Sequence, residues 1–302
     1  MKTKSILNNN VIIGTVCAGA VLFLAAAASA QNLLVSTYGG QSIDQITPGG
    51  TVSPFLTTGL SYPDAMVFDS AGDLFIGSTA NNNGETGYIT KITPGGTTTT
   101  FASGIDPHGL AFNGANLFAV DYRSGNIYEY TPGGAQSTFL TGLPNPIQLA
   151  FNNSGDLYVT AGYGNGAGFI DEIMPGGGTN LFATGLSFPN GIAINKAGDV
   201  FVSSQTSGTI LEYTPGGVQS TFITLPTTQV NGLTFNGAGD LFAAASSGAI
   251  YEITPGGAES TYASISPTGA DQLVFQPVPE PSTLALLAVG ASAMVLRLRR
   301  KK

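Results

Sequence analysis

The sequence predicts an all-β fold built from one strand-and-turn unit that recurs along almost the whole chain. The first observation is the turn TPGG (once MPGG), which occurs six times at spacings of 38 to 46 residues. The second is that each unit holds four short apolar runs separated by turn residues, a pattern typical of strands. The third is that no apolar run of helical period occurs over residues 31–277. A repeat of about forty residues indicates a repeat architecture.

The TPGG turns are the most regular feature of the repeat. Pro presets φ at the first central position of a turn, and Gly accepts the positive φ of the second, so we expect type II turns. Turns of the form SGD or AGD separate the first and second runs, where Gly supplies positive φ and Asn or Asp bonds the local backbone. The TPGG turns occupy residues 47–50, 93–96, 131–134, 174–177, 214–217 and 254–257.

Four antiparallel strands per unit match one blade of a β-propeller. The chain begins in a run of the second type, residues 33–35, and ends in a run of the first type, residues 273–275. The last strand can therefore complete the first blade and close the ring without an exposed edge. Residues 31–277 are predicted to form a six-bladed β-propeller with four-stranded antiparallel blades, closed by the C-terminal strand.

The inner runs are apolar on successive residues, as expected for strands that neighbouring blades cover on both faces. Each buried Leu, Phe or Val contributes about 1.5–3 kcal/mol. The predicted core anchors are Phe68, Phe75, Phe112, Phe151, Leu157, Phe201, Phe235, Phe242 and Phe275.

Residues 1–30 have the features of a secretory signal peptide. Lys2 and Lys4 precede an apolar run over residues 11–28. The small residues Ala28 and Ala30 occupy the third and first positions before the predicted cleavage site, which lies between Ala30 and Gln31. We expect a helical signal peptide, with a retained membrane anchor as the alternative. The one cysteine of the chain, Cys17, lies in this segment, so the mature protein is predicted to have no disulfide and no Cys-ligated metal.

Residues 278–302 form a three-part segment at the other end. Pro279, Glu280 and Pro281 precede a short apolar stretch, residues 283–296, and a basic tail. This segment resembles the PEP-CTERM sorting signal of exported bacterial proteins. The resemblance implies transient anchoring in the inner membrane through a short C-terminal helix, and processing by an exosortase-type enzyme. It also implies a location at the cell surface, among extracellular polysaccharide. An ordinary tail anchor is the alternative.

The predicted propeller is strongly acidic. Residues 31–277 contain three basic and seventeen acidic residues, a net charge of −14. Such a surface repels nucleic acid and anionic membranes, because phosphate binding needs Lys and Arg. Cations and neutral saccharides are the ligand classes that remain.

The face opposite the TPGG turns carries the variable loops, residues 80–87 and 163–168, and binding usually involves such loops. On this face one residue per blade is predicted to point into the central channel. Carboxylates and amides there suit Ca²⁺, and one histidine in the set can titrate near neutrality, which makes it the catalytic candidate. Alternatively, each side chain only bonds its own backbone. In ring order these residues are Asp271, Asp64, His108, Ile147, Asn190 and Asn231, with Asp121, Tyr122 and Arg123 expected beside His108.

Two segments, residues 189–204 (PNGIAINKAGDVFVSS) and 230–245 (VNGLTFNGAGDLFAAA), resemble NHL-repeat proteins and the six-bladed gluconolactonase (regucalcin) group. The resemblance implies metal ligation by Asn190 and Asn231, with Asp64 and Asp271 at equivalent places. The Glu ligand of that group has no counterpart at any ring position. Residues 106–112 (DPHGLAF) and the TPGG turns also resemble the seven-bladed streptogramin lyases, whose further catalytic residues are not matched.

These observations lead to two functional predictions. The first is an exported, surface- or matrix-associated propeller that acts as a non-enzymatic binding or scaffold module after exosortase-type processing, with extracellular polysaccharide as a candidate partner. The alternative is a metal-dependent, lactonase-like hydrolase or lyase that uses the central channel. The single histidine of the chain excludes a histidine metal cluster, and no Ser/His/Asp set is visible.

Overall fold

The computed structural model describes residues 31–79, 86–162, 168–265 and 269–277. The predicted signal peptide, the predicted sorting segment and most of the two variable loops lie outside the described residues. The described part of the chain forms six four-stranded antiparallel sheets, which confirms the predicted fold. None of its residues belongs to a helix long and apolar enough to cross a membrane.

Each sheet is one blade of the propeller. The blades are β24-β1-β2-β3, β4 to β7, β8 to β11, β12 to β15, β16 to β19 and β20 to β23. In chain order the strands are β1 (Leu33–Thr37), β2 (Ser42–Ile46), β3 (Val52–Leu56), β4 (Pro63–Phe68), β5 (Leu74–Ser78), β6 (Gly87–Ile92), β7 (Thr98–Ile105), β8 (Pro107–Asn113), β9 (Asn116–Asp121), β10 (Asn126–Tyr130), β11 (Gln136–Leu140), β12 (Leu149–Phe151), β13 (Leu157–Ala161), β14 (Gly168–Ile173), β15 (Thr179–Leu186), β16 (Pro189–Ile194), β17 (Val200–Ser204), β18 (Thr209–Tyr213), β19 (Gln219–Thr224), β20 (Val230–Phe235), β21 (Leu241–Ala245), β22 (Ala249–Ile253), β23 (Glu259–Ser264) and β24 (Leu273–Phe275).

The C-terminal strand closes the ring, as predicted. β24 pairs antiparallel with β1, placing Leu33 opposite Phe275. Outside this short ladder, Asn32 Nδ2 donates to Gln276 Oε1 at 3.0 Å. The innermost strands β24, β4, β8, β12, β16 and β20 each contact those of the neighbouring blades. The central channel is therefore lined by the first strand of every blade.

The TPGG turns differ from the prediction in one respect. In the third blade, Gly134 has φ 81°, whereas Gly133, the second central residue, is not in the positive-φ region. A type II turn needs positive φ at that central residue, so the type II prediction is wrong. Gly134 N donates to Thr131 O at 2.9 Å, and the hairpin combines a type I turn with a left-handed glycine. The same position has positive φ in every blade, at Gly50, Gly96, Gly134, Gly177, Gly217 and Gly257.

The turns between first and second strands follow the prediction. Asn195 Oδ1 accepts two backbone N–H groups at 2.9 Å, and Asn195 Nδ2 donates to Asp199 Oδ2 at 2.9 Å. Gly198 supplies the positive φ, 92°, and lies against Pro215 of the neighbouring TPGG turn. Both kinds of turn therefore share one surface, here called the TPGG face. The opposite surface is called the cavity face.

Aromatic side chains join neighbouring blades. Phe201 of β17 lies edge-on to Phe222 of its own blade and to Phe235 of the next blade, with ring centroids 5.0 and 5.2 Å apart. Phe242 repeats this arrangement with Tyr262 and with Phe275, which belongs to the closing strand. Edge-to-face pairs at these distances are favourable beyond the area they bury. A second-strand aromatic thus bridges two blades at each of these places.

The predicted core anchors divide into two groups. The second-strand anchors Phe75, Leu157, Phe201 and Phe242 are buried. The first-strand anchors are only half-buried, because they end the innermost strands next to the TPGG face: Phe68, Phe112, Phe151, Phe235 and Phe275. Two third-strand tyrosines that were not predicted, Tyr130 and Tyr213, are among the largest fully buried side chains.

Candidate functional site

A polar cavity of about 540 Å³ opens at the centre of the cavity face. All six ring positions named from the sequence line it: Asp64, His108, Ile147, Asn190, Asn231 and Asp271. Five of these side chains are polar, and Ile147 interrupts them. The structure thus brings the six positions together in one cavity, and their role in binding a ligand or metal stays a prediction.

Irregular pairing at the start of the innermost strands places these side chains. The ladder between β8 and β9 shifts register between Pro107 and Gly109, which leaves His108 unpaired. Equivalent shifts occur at Asp64, between Pro63 and Ala65, and in the blades of Asn190 and Asn231. A bulge of this kind turns a side chain away from its regular direction. The repeat pattern of the sequence does not predict these bulges.

The glycine that follows several ring residues has a packing role. A Cβ at Gly191 would lie 2.2 Å from Asn231 O, and one at Gly232 would lie 2.6 Å from Asp271 O. Each of these glycines therefore lets the next blade's ring residue approach closely. Blade packing therefore accounts for the glycine of the two Asn-Gly pairs that carry the resemblance to the gluconolactonase group, and metal ligation by Asn190 and Asn231 stays a prediction.

His108 is held between two carboxylates. Its Nδ1 lies 2.6 Å from Asp64 Oδ2, and its Nε2 lies 3.8 Å from Asp106 Oδ2. Tyr122 stacks on the imidazole with ring centroids 4.6 Å apart, and Arg123 Nε lies 3.4 Å from Asp106 Oδ2. The side chain of His108 is 20% exposed. The imidazole of His108 therefore lies between carboxylates, and water has only limited access to it.

This environment changes two pKa values. Burial alone would lower the pKa of His108, but the charge of Asp64 and the hydrogen bonds of Asp106 and Asp64 raise it to about 10. Burial raises the pKa of Asp271 well above its usual range, and the charge and hydrogen bond of Asp64 raise it further. At neutral pH His108 is therefore an imidazolium, paired with the Asp64 carboxylate.

The carboxylates and the imidazole of the cavity are the groups that could bind a metal ion. Among the described residues no group of three or more His, Cys, Asp or Glu side chains is placed to hold a metal. The Asp64 carboxylate already faces the His108 imidazolium at 2.6 Å, and Asp271 is hydrogen-bonded to Asp64. No step is therefore assigned to a metal, and the Ca²⁺ expectation stays a prediction.

The other side of the cavity is lined by amides and hydroxyls. Asn231 Nδ2 donates to Ala270 O at 3.0 Å, and Gln205 Nε2 donates to Asn231 Oδ1 at 3.3 Å. Asn190 is 7% exposed, and its Oδ1 is buried without a hydrogen-bond partner. Asn231 bonds a neighbouring segment rather than its own backbone, so the purely local role considered for it does not describe its contacts.

Several lining residues were missed by sequence reasoning. Tyr38 follows β1, is 40% exposed, and has its ring centroid 5.0 Å from that of Tyr62. Gln205 and Ser246 follow the second strands of their blades and also line the cavity. Each of these residues occupies the first loop position after the second strand of its blade, and this position is the sequence signal that could have located them.

Asp121 was expected near His108 from the sequence. Its Oδ1 accepts the Asp106 backbone N–H at 3.2 Å.

The pairing of His108 predicts a pH-dependent stability. The folded-state pKa of His108, about 10, lies above its ordinary value of 6.5, so the folded protein binds this proton more tightly than the unfolded chain does. The stabilisation is complete below pH 6.5 and is lost as the pH rises through about 10. The raised pKa of Asp271 acts in the same direction at lower pH. We expect urea unfolding at pH 7, 8.5 and 10 to give falling unfolding free energies. A His108→Gln variant should lack the decline between pH 7 and 10, and an equal decline in both proteins would contradict the pairing.

Two separate parts of this chain resemble known proteins. The family model described as PEP-CTERM protein-sorting motif matches residues 277–301. The propeller resembles a crystal structure of a nidogen/laminin complex, with 16% identity and a TM-score of 0.71 over 82% of this chain and 98% of that chain. It also resembles a streptogramin B lyase structure, with 14% identity and a TM-score of 0.61 over 84% and 92%. No curated protein matches the chain in sequence.

These matches carry different weight. At identities of 14–16% the solved structures show the fold alone. One is a lyase and the other a complex, so they do not separate an enzyme from a binding module. The sorting motif implies an exported protein that is anchored transiently in the membrane before exosortase-type processing.

Proposed function

We propose that this exported propeller is a non-enzymatic binding module of the cell surface or extracellular matrix, and that its central cavity takes a neutral saccharide. The observation that carries the proposal is the position of His108. Its Nδ1 lies 2.6 Å from Asp64 Oδ2, with Asp106 beside Nε2. An imidazolium held in this way has no lone pair for accepting a proton or binding a metal. The one histidine of the chain thus serves as an internal counter-ion.

The lining supports a polyhydroxylated ligand. Asn190 Oδ1 is a buried acceptor without a partner, a situation that costs about 1–3 kcal/mol. Asn190 lines the cavity, so rotation of its amide towards the cavity would expose this oxygen to a donor hydroxyl of a ligand. Gln205, Asn231 and Ser246 add further donors and acceptors around the same cavity. This density of neutral hydrogen-bonding groups suits sugar hydroxyls.

An aromatic surface lies at the edge of the same cavity. Tyr38 is 40% exposed and is supported from behind by Tyr62. Sugars present an apolar C–H face as well as hydroxyls, and an exposed tyrosine ring offers a flat apolar contact for that face. The acidic residues of the propeller, seventeen against three basic ones over residues 31–277, favour a neutral saccharide over an anionic one.

Calorimetric titration of the exported protein with neutral oligosaccharides tests this proposal. Cello-, malto- and manno-oligosaccharides are suitable probes. We expect one class to bind, and Asn190→Ala and Tyr38→Ala each to weaken binding about fivefold, equivalent to about 1 kcal/mol per lost contact. Asn153→Ala is the matched control, because Asn153 is exposed on the TPGG face, and it should bind like wild type.

The rival function is a metal-dependent, lactonase-like hydrolase or lyase. Its test uses a lactone panel with added Ca²⁺ or Zn²⁺. Turnover that disappears in a His108→Asn variant would overturn the non-enzymatic proposal. Absence of binding to every neutral oligosaccharide would overturn the ligand class.

A further inference from the structure

The chain leaves the propeller on the TPGG face. After β24, Pro277 lies in a groove between the first and second blades, beside Gly72 and Pro94, which belong to turns of that face. At the other end, Gln31 lies beside Pro48 and Gly237, also on the TPGG face. The cavity lies at the opposite ends of the same strands. The sorting segment therefore begins on the side away from the cavity.

The connection from the propeller to the apolar stretch of the tail is short. Five residues lie between Pro277 and Thr283, where this stretch begins, so six Cα-to-Cα steps join the two. A fully extended chain spans at most about 3.3–3.6 Å per residue, so this connection reaches roughly 20 Å in any conformation.

A path from Pro277 round the propeller to the cavity face is longer than this reach. It must first pass from the innermost to the outermost strand of a blade, three spacings of about 4.8 Å, or roughly 14 Å. It must then follow a strand of five residues, roughly 17 Å at 3.3 Å per residue. The total of about 30 Å, before side chains and turns are added, exceeds the reach of about 20 Å.

We propose that the TPGG face of the unprocessed, membrane-anchored protein lies against the membrane surface, and that the central cavity opens away from it. The tail thus orients the propeller as well as retaining it. The cavity is then accessible to large extracellular ligands while the protein is still anchored.

The composition of the TPGG face is compatible with contact to neutral lipid headgroups. Its six TPGG turns consist of Thr, Pro, Gly and one Met, whereas the turns between first and second strands on the same face add five acidic side chains and one lysine, which disfavours anionic headgroups: Asp69, Asp73, Asp156, Asp199, Asp240 and Lys196. Phe55, Met174 and Val218 are exposed on this side by 37%, 43% and 68%. Weak apolar contacts of this kind do not oppose the orientation that the short connection imposes.

Fluorescence quenching by the membrane tests the orientation. The full chain is exported in a host without exosortase and reconstituted in phosphatidylcholine vesicles that carry a headgroup quencher. Cys17→Ser removes the one native cysteine. Single cysteines are then labelled at opposite ends of one strand. Val218→Cys and Ser207→Cys flank β18, whereas Ala258→Cys and Ser247→Cys flank β22. All four positions are exposed.

We expect labels at positions 218 and 258 to be quenched about threefold or more above those at 207 and 247, because a strand separates them by roughly 17 Å. A flexible insertion of about thirty Gly/Ser residues after Pro277 should abolish the difference. Equal or reversed quenching in the uninserted protein would overturn the proposal. A difference that survives the insertion would also contradict it, because the short connection would not be its cause.

Discussion

Replacing Phe242 by Ala is expected to lower the free energy of unfolding by about 3–5 kcal/mol, the range for a buried Phe→Ala change. Phe242 is 2% exposed and lies edge-on to Tyr262 and Phe275 with ring centroids 5.0 Å away. Because Phe275 belongs to β24, the substitution removes packing within the sixth blade and also between that blade and the closing strand.

Urea unfolding followed by circular dichroism measures this effect. Phe55→Ala is the matched control, since Phe55 is 37% exposed, and it should cost less than about 1 kcal/mol. Two variants of equal stability would contradict a stabilising role for the Phe242 ring between the blades.

Replacing His108 by Ala is expected to cost about 3 kcal/mol at neutral pH, as for removal of one partner from a buried ion pair. The Asp64 side chain is 13% exposed and loses its imidazolium at 2.6 Å. Asp271 remains hydrogen-bonded to Asp64, and Asp106 loses the imidazolium 3.8 Å from its Oδ2. Acidification should reduce the difference from wild type, because protonation of the carboxyls removes the unpaired charge.

The Lys91–Asp73 pair provides the control. Its Nζ and Oδ2 atoms are also 2.6 Å apart, but Lys91 pairs with one carboxylate in a turn of the TPGG face, whereas His108 lies between two carboxylates in the cavity. Lys91→Ala should cost only about 0–1 kcal/mol. A His108→Ala protein as stable as Lys91→Ala would contradict the description of His108 as a structural counter-ion.

Most of the fold could be predicted from the sequence because the repeat is regular. The spacing of TPGG gave the blade length, and the second-type run at Leu33 with the first-type run at Phe275 gave the ring closure. Local backbone geometry was less accessible. Both Gly133 and Gly134 can adopt positive φ, and the sequence alone does not say which of them does; the structure assigns it to Gly134.

The candidate site could be predicted in part. The positions of Asp64, His108 and Asn190 follow from blade periodicity, since each lies at the start of an innermost strand. The contact between His108 and Asp64 does not, because it depends on bulges at the starts of β4 and β8. Asp106 is two residues from His108 in sequence, but its approach to Nε2 depends on the same bulge.

Nuclear magnetic resonance titration of the histidine side chain tests the central claim most directly. The chain contains a single histidine, so isotope-labelled histidine gives one unambiguous imidazole signal. We expect His108 to remain protonated through pH 8 and to titrate near pH 10. A titration near the ordinary histidine pKa of 6.5 would leave a free base in the cavity, and would contradict the assignment of His108 as an internal cation in a binding site.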